Sequence, residues 1–110
     1  MNCLNNLIIE GKFTGDSRME TLENGNTKLV FSVGVERNVK NEAGETVVET
    51  SYFDVAVYGR LAEVCSSRIK AGKGLRVVGR LKQDKVTLAD NGCVINYVYV
   101  VGEHIEFKPN

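Results

Sequence analysis

Residues 47–81, VVETSYFDVAVYGRLAEVCSSRIKAGKGLRVVGRL, change their hydrophobic period twice within one short span. From about Val47 to Tyr58 the residues alternate as a strand does, with Phe53, Val55 and Val57 on the inward face. Tyr52, Asp54, Ala56 and Tyr58 fall on the opposite face, and Gly59 breaks the pattern. Leu61, Val64, Cys65 and Ile69 then recur at helical spacing, and Gly72 is expected to end that helix in the left-handed conformation. From Leu75 the two-residue alternation resumes. Leu75, Val77 and Leu81 point one way, and Arg76, Val78, Arg80 and Lys82 the other. One short helix therefore sits between two strands in a chain that otherwise alternates.

Upstream, Leu7–Phe13 reads as a strand ending at Gly15-Asp16, and residues 16–27 as a polar connection turning at Asn24-Gly25. Leu29, Phe31, Val33 and Val35 form the cleanest apolar face, backed by Lys28, Ser32, Gly34 and Glu36. Residues 38–46 read as a polar loop around Gly44. Downstream, a turn at Asp90-Asn91-Gly92 leads into Val94–Val101, with Tyr97 and Tyr99 opposite Asn96, Val98 and Val100. Ile105-Glu106-Phe107 forms a short terminal extension. No β-α-β repetition occurs, so a parallel sheet is not expected. Three strands, one helix and two strands make an all-β chain with the order of a five-stranded Greek-key OB-fold barrel. An immunoglobulin-like sandwich would need about seven strands and no such helix.

The chain has 110 residues, the size of one domain spanning 1–110, and 43% are hydrophobic, which argues against disorder. No apolar run approaches a membrane span, and Met1–Asn6 lacks the pattern of a secretory signal. The formal charge is zero, with 14 basic and 14 acidic side chains, but its distribution is uneven. Residues 60–85 carry 8 basic side chains (Arg60, Arg68, Lys70, Lys73, Arg76, Arg80, Lys82 and Lys85) against Glu63 and Asp84. Such a block is the electrostatic footprint of a polyanion site or, with no partner, a solvated positive face.

Catalysis finds little support. Cys3, Cys65 and Cys93 are odd in number and widely spaced, which suits a reducing compartment and no disulfide framework. Cys65 lies on the apolar helical face, Cys93 follows a turn glycine, and His104 stands at a strand end, so a nucleophile–base pair is disfavoured. The spacing suits no zinc site, and neither a nucleophile elbow nor a phosphate or dinucleotide loop is present. No enzyme activity, metal or cofactor is expected.

Three blocks in register resemble the bacterial single-stranded DNA-binding protein (SSB) family: Asn6–Gly11, Glu49–Glu63, and Lys70-Ala71-Gly72 with Val77–Leu81. The similarity runs from about Asn5 to Phe107. It implies a sequence-nonspecific binder of single-stranded DNA in replication, recombination and repair, cytoplasmic and nucleoid-associated, and a homotetramer or possible dimer. By correspondence with the family's stacking and basic positions, Tyr52, Tyr58 and Arg60 are expected to contact DNA, and the basic stretch adds Arg76, Arg80, Lys82 and Lys85. Rings stack on bases while cations follow phosphates. Two family tryptophans are missing: residues 37–40 hold no ring, and Val86 follows Lys85. Stacking then falls to tyrosines, with Tyr97 and Tyr99 either contributing or packing at a sheet face or subunit interface. The family's acidic C-terminal tail is not present before Asn110, so recruitment of proteins through it is not expected. Two alternatives accompany this reading: a primosome assembly factor resembling primosomal replication protein N, and an OB-fold serving as a protein interaction module.

Overall fold

The computed structural model describes residues 2–109. Five strands and one helix follow in the order β1 (Leu7–Thr21), β2 (Thr27–Lys40), β3 (Thr46–Tyr58), α1 (Gly59–Arg68), β4 (Gly74–Thr87) and β5 (Val94–Phe107). The strands close into a barrel, β1-β2-β3-β5-β4, sealed by antiparallel pairing of β4 back onto β1. Closure across β3 and β5 is parallel and short, with Val55 opposite Val100 and Ala56 opposite Val101. This is the OB-type barrel expected from the order of elements.

Inside lie Phe13, Leu29, Phe31, Val33, Val55, Val57, Leu75, Val77, Val100 and Ile105, so the alternating faces of β2, β3 and β4 point where their sequence requires. Phe13 meets Phe31 edge to face, with centroids 6.2 Å apart. The helix covers one end of the barrel through Ala62 and Cys65, both fully buried, while Leu61 and Ile69 pack at its margin. Burial pushes the Cys65 thiol up to about 11, which leaves it an inert apolar filler.

Several local expectations need correction. Val64 is 38% exposed, because the helix turns Ala62 rather than Val64 to the core. The helix ends at Arg68, and the Ile69 N–H bonds the Cys65 carbonyl at 3.0 Å. Gly72 (φ 86°) instead serves the turn that follows, where its N–H bonds the Phe13 carbonyl at 2.8 Å. The strands also run past the positions where polarity was expected to stop them. β1 continues to Thr21 through a bulge in which Thr14, Gly15 and Asp16 oppose the single residue Ser32. Residues 38–40 and 46 of the expected loop belong to the strands of a β2–β3 hairpin that turns at Asn41–Glu45. The terminal extension is simply the end of β5, paired with Leu75, Arg76 and Val77 of β4.

Those long ribbons leave the barrel as arms, and the radius of gyration of 16.2 Å records it. A compact chain of this length would have roughly 13 Å. Phe53 and Leu81 sit on the inward side of their strands yet are 40% and 48% exposed, because at those positions β3 and β4 have passed the barrel mouth. Ladder pairing alone explains how polar residues such as Gln83 to Thr87 remain strand, since each backbone group finds a partner on β5.

β5 changes phase once. Glu103 is an extra residue between Gly102 (opposite Gly79) and His104 (opposite Val78), so Val100, Gly102 and Ile105 all reach the interior. Backbones close in there: a Cβ on Gly79 would lie 2.0 Å from the Val101 carbonyl oxygen. Gly79→Ala is expected to destabilise the fold by more than about 3 kcal/mol, above ordinary overpacking because backbone blocks relaxation. Chemical denaturation of the two proteins measures this, and a near-unchanged midpoint would contradict the described crossing.

Candidate nucleic-acid interface

The outward side chains of the strands form one continuous surface. Along β2 they are Lys28, Val30, Ser32 and Gly34, paired in register with Tyr58, Ala56, Asp54 and Tyr52 of β3. On β5, Val101, Tyr99 and Tyr97 continue the layer, paired with Arg80, Lys82 and Asp84 of β4. All 4 tyrosines of the chain therefore share a face, although they come from two distant segments. Val30, Ala56, Tyr58, Tyr99 and Val101 pack together as an apolar cluster outside the barrel.

The four rings are not equivalent. Tyr52 is 69% exposed, set above Gly34, and offers an open ring face. Tyr97 is 39% exposed and stacks one side of its ring on Tyr99 at 5.3 Å. Tyr99 itself is buried, and its hydroxyl donates to Asp84 Oδ2 at 2.8 Å. Tyr58 is half-buried at the N-cap of α1. Between Tyr58 and Tyr99 stands the Lys28 ammonium, 5.9 Å from one ring centre and 6.0 Å from the other. The sequence left Tyr97 and Tyr99 between stacking and packing: both pack on this face, and only Tyr97 keeps an exposed part of its ring.

Of the seven residues anticipated, Tyr52, Tyr58, Arg80 and Lys82 lie on this face, and Arg60 is exposed one residue past Gly59 in the first turn of α1. No acidic side chain occupies that turn, so Arg60 adds to the positive end of the helix dipole. Arg76 is elsewhere. It bonds Glu10 at 3.1 Å and faces Glu106 at 3.6 Å, within a cluster that Lys108 joins through Glu10. The Lys108 ammonium beside it is the main reason the Glu10 carboxyl sits below its ordinary range. Lys85 pairs with Asn96 on the opposite side of the β4–β5 arm from Lys82. Alternation along a two-stranded ribbon separates residues that the basic run placed together.

Two contributors were missed. Lys28 and Arg18 reach the face through the pairs Lys28–Tyr58 and Arg18–Val30, outside the basic block. The outward position of Lys28 opposite Leu29 was a usable signal, whereas Arg18 depends on the β1 bulge. Surface ion pairs such as Arg18–Glu20 (2.7 Å) and Lys82–Asp84 (3.8 Å) hold little energy and leave the cations available.

A model of the single-strand binding protein family matches residues 4–108. The chain belongs to that family. Within it, the single-stranded DNA-binding protein of Aquifex aeolicus is 38% identical over 82 residues, covering 74% of this chain and 56% of that protein. Single-stranded DNA-binding protein 1 of Clostridium acetobutylicum is 30% identical over 106 residues, covering 94% of this chain and 93% of its own. The chain thus spans only about half of some relatives and nearly all of another. Among solved structures, a Plasmodium falciparum SSB complex with ssDNA superposes with a TM-score of 0.86 at 16% identity, covering 99% of this chain and 98% of its own. A small single-stranded DNA-binding protein from Streptomyces coelicolor gives 0.73 at 19%, covering 98% and 96%. These structures show the shared barrel. No helix among the described residues is long and apolar enough to cross a membrane.

Desolvation at the packed face, and then the hydrogen bond to Asp54, push the Tyr97 phenol from 10 up to about 12. Tyr99 shifts in the same direction, again chiefly by desolvation and then through Asp84. The folded protein therefore holds these protons more tightly than the unfolded chain. The Tyr97 contribution to stability is complete below pH 10 and is lost as pH rises through about 12, and that of Tyr99 persists to higher pH. Ultraviolet titration of tyrosinate is expected to show a component centred near pH 12 that disappears in Tyr97→Phe.

Proposed function

We propose that this protein binds single-stranded DNA through the tyrosine face, holding it largely independently of sequence in replication, recombination and repair. The observation that carries the reading is the gathering of every tyrosine on one surface with Lys28, Arg80 and Lys82 among them. Open rings at Tyr52 and Tyr97 offer stacking platforms for bases, and every base has a π-face to present. Arg60, Arg80, Lys82 and Lys28 supply the charge that follows phosphates, while Tyr58 and Tyr99 hold the platform together. The +6 block of residues 60–85 joins this face at Arg60, Arg80 and Lys82; Arg76 is engaged by carboxylates and Lys85 points off the opposite side of the arm. Acting by equilibrium binding alone, the protein would need neither metal nor cofactor and would perform no catalysis. Its expected site of action is the cytoplasm, along the nucleoid.

Tyr52→Ala is expected to weaken binding to oligo(dT) by about 1–3 kcal/mol, the usual worth of a base-stacking ring. Arg80→Ala should act differently, lowering the salt dependence by roughly 0.7 in the log–log slope as one phosphate contact is lost. Quenching of tyrosine fluorescence by oligo(dT) at several salt concentrations reads both. No detectable binding at low salt would refute the proposal, and an unchanged slope would remove Arg80 from the contact set.

We also propose that the protein acts as a homo-oligomer, with a tetramer as the expected state. Phe53, Leu81 and Val98 converge on an apolar cleft of about 300 Å³ that Tyr52 and Tyr99 also border, and Ile8 on β1 is 64% exposed. Light scattering is expected to give the mass of four chains. A monomer at micromolar concentration would be the contrary result, and a dimer would favour the primosomal-type alternative.

A further inference from the structure

Among the carboxylates on a face otherwise furnished for a polyanion, Asp84 and Asp54 each accept a tyrosine hydroxyl, and they are held differently. Asp84 accepts the Tyr99 hydroxyl and has the Lys82 ammonium at 3.8 Å, so its charge is compensated locally. Asp54 accepts the Tyr97 hydroxyl through Oδ2, and among the described residues no cation pairs with it. Its Oδ1 has no partner there either. A carboxylate without an ion pair, on a surface that follows phosphates, works against binding unless something in the nucleic acid uses it.

The space beside Asp54 fits such a use. A cleft of about 270 Å³ lies between β1 and β5, bordered by Asp16, Ser17 and Arg18 on one side and by Val30, Ser32, Asp54 and Tyr97 on the other. The β1 bulge opposite Ser32 produces it, by setting Ser17 and Arg18 out of step with β2. Val30 supplies an apolar lining, Tyr97 and Arg18 offer flat groups for stacking, and Asp54 stands at one wall as an acceptor.

We infer that this cleft is a base-reading subsite that selects guanine. The chemistry separates the four bases. Guanine's Watson–Crick edge carries two adjacent donors, N1–H and the 2-amino group, which match the two oxygens of a carboxylate. Each oxygen has two acceptor positions, so Oδ2 can keep the Tyr97 hydroxyl while receiving one of them. Cytosine and adenine each set a ring nitrogen acceptor beside their amine, and thymine flanks its single N–H with two carbonyls. All three therefore present lone pairs to the carboxylate. Asp54 here specifies rather than attracts: the rest of the face binds any strand, and this position adds a preference where the strand offers guanine.

This inference rests on the reading of the face as a single-stranded DNA surface, and one set of titrations tests the two separately. Labelled oligo(dT), the same strand carrying isolated guanines, and the same strand with inosine in their place are titrated with the intact protein and with Asp54→Asn. The guanine strand is expected to bind about tenfold tighter than oligo(dT), in line with a good bidentate contact. Inosine, which lacks the 2-amino group, should lose most of that gain. Asp54→Asn should bind all three strands alike and hold oligo(dT) at least as tightly as the parent, because a negative charge has left the surface. Equal binding of guanine and thymine strands by the parent protein overturns the subsite while leaving the DNA surface intact. A guanine preference that survives Asp54→Asn overturns the role of Asp54. Failure to bind any strand removes the DNA reading itself, and the subsite with it.

Discussion

A single strand, β5, has to serve two surfaces, and most of the molecule follows from how it does so. Its inward residues Val100, Gly102 and Ile105 complete the core, while Tyr97, Tyr99 and Val101 build the outer face. Perfect alternation would not keep both sets aligned over a curved strand. The extra residue at Glu103 restores the phase, and the absence of side chains at Gly79 and Gly102 lets the backbones approach. A Cβ on Gly102 would come within 2.8 Å of a Val57 methyl, so closure of β5 against β3 and the filling of the core are one constraint. Because closure places β5 beside β3, the tyrosines of two remote segments become neighbours.

The outer face is itself a small packed system rather than a set of free side chains. Tyr99 is buried on it, anchored by Asp84, and gives Tyr97 a ring to stack on. Lys28 sits where its charge meets two aromatic faces. Preorganisation of this kind limits the side-chain freedom lost when a ligand binds, which matters for a surface whose contacts are individually modest. Ring burial also explains why four tyrosines do not mean four stacking platforms. Each ring that stiffens the surface is one fewer available to a base.

Asn5 illustrates how the barrel protects its seam. β1 pairs with β4 from Leu7 onwards, and Leu81 would otherwise lose its ladder partner. The Asn5 side chain supplies one, accepting from the Leu81 N–H at 3.0 Å and donating to its carbonyl at 2.8 Å. An amide side chain thus imitates a strand at the edge where the β4–β5 arm departs. Such an arm, two strands without a covering layer, keeps its shape by its own ladder and by contact with the outer tyrosines.

Much of this was readable in the chain. The faces of β2, β3 and the first half of β4 followed from alternation, because burial on one side of a pleated strand imposes that period. The switch to helical spacing after Gly59 placed α1 between β3 and β4, and with it the order of an OB barrel. Family resemblance in Glu49–Glu63 marked Tyr52, Tyr58 and Arg60. Strand ends were not readable: ladder bonds at residues 17–21, 38–40 and 82–87 stabilise extended backbone whatever the side chains, so polarity was a poor guide to their length. Nor could a run of charge show its own geometry. Arg76 and Lys85 belong to the basic block in sequence, yet ion pairing removed one from the face and strand alternation turned the other away. The sequence by itself determined the layers, since local periodicity is a local property. Only the tertiary structure decided which layers meet, because barrel closure and bulges set the register between segments up to 76 residues apart.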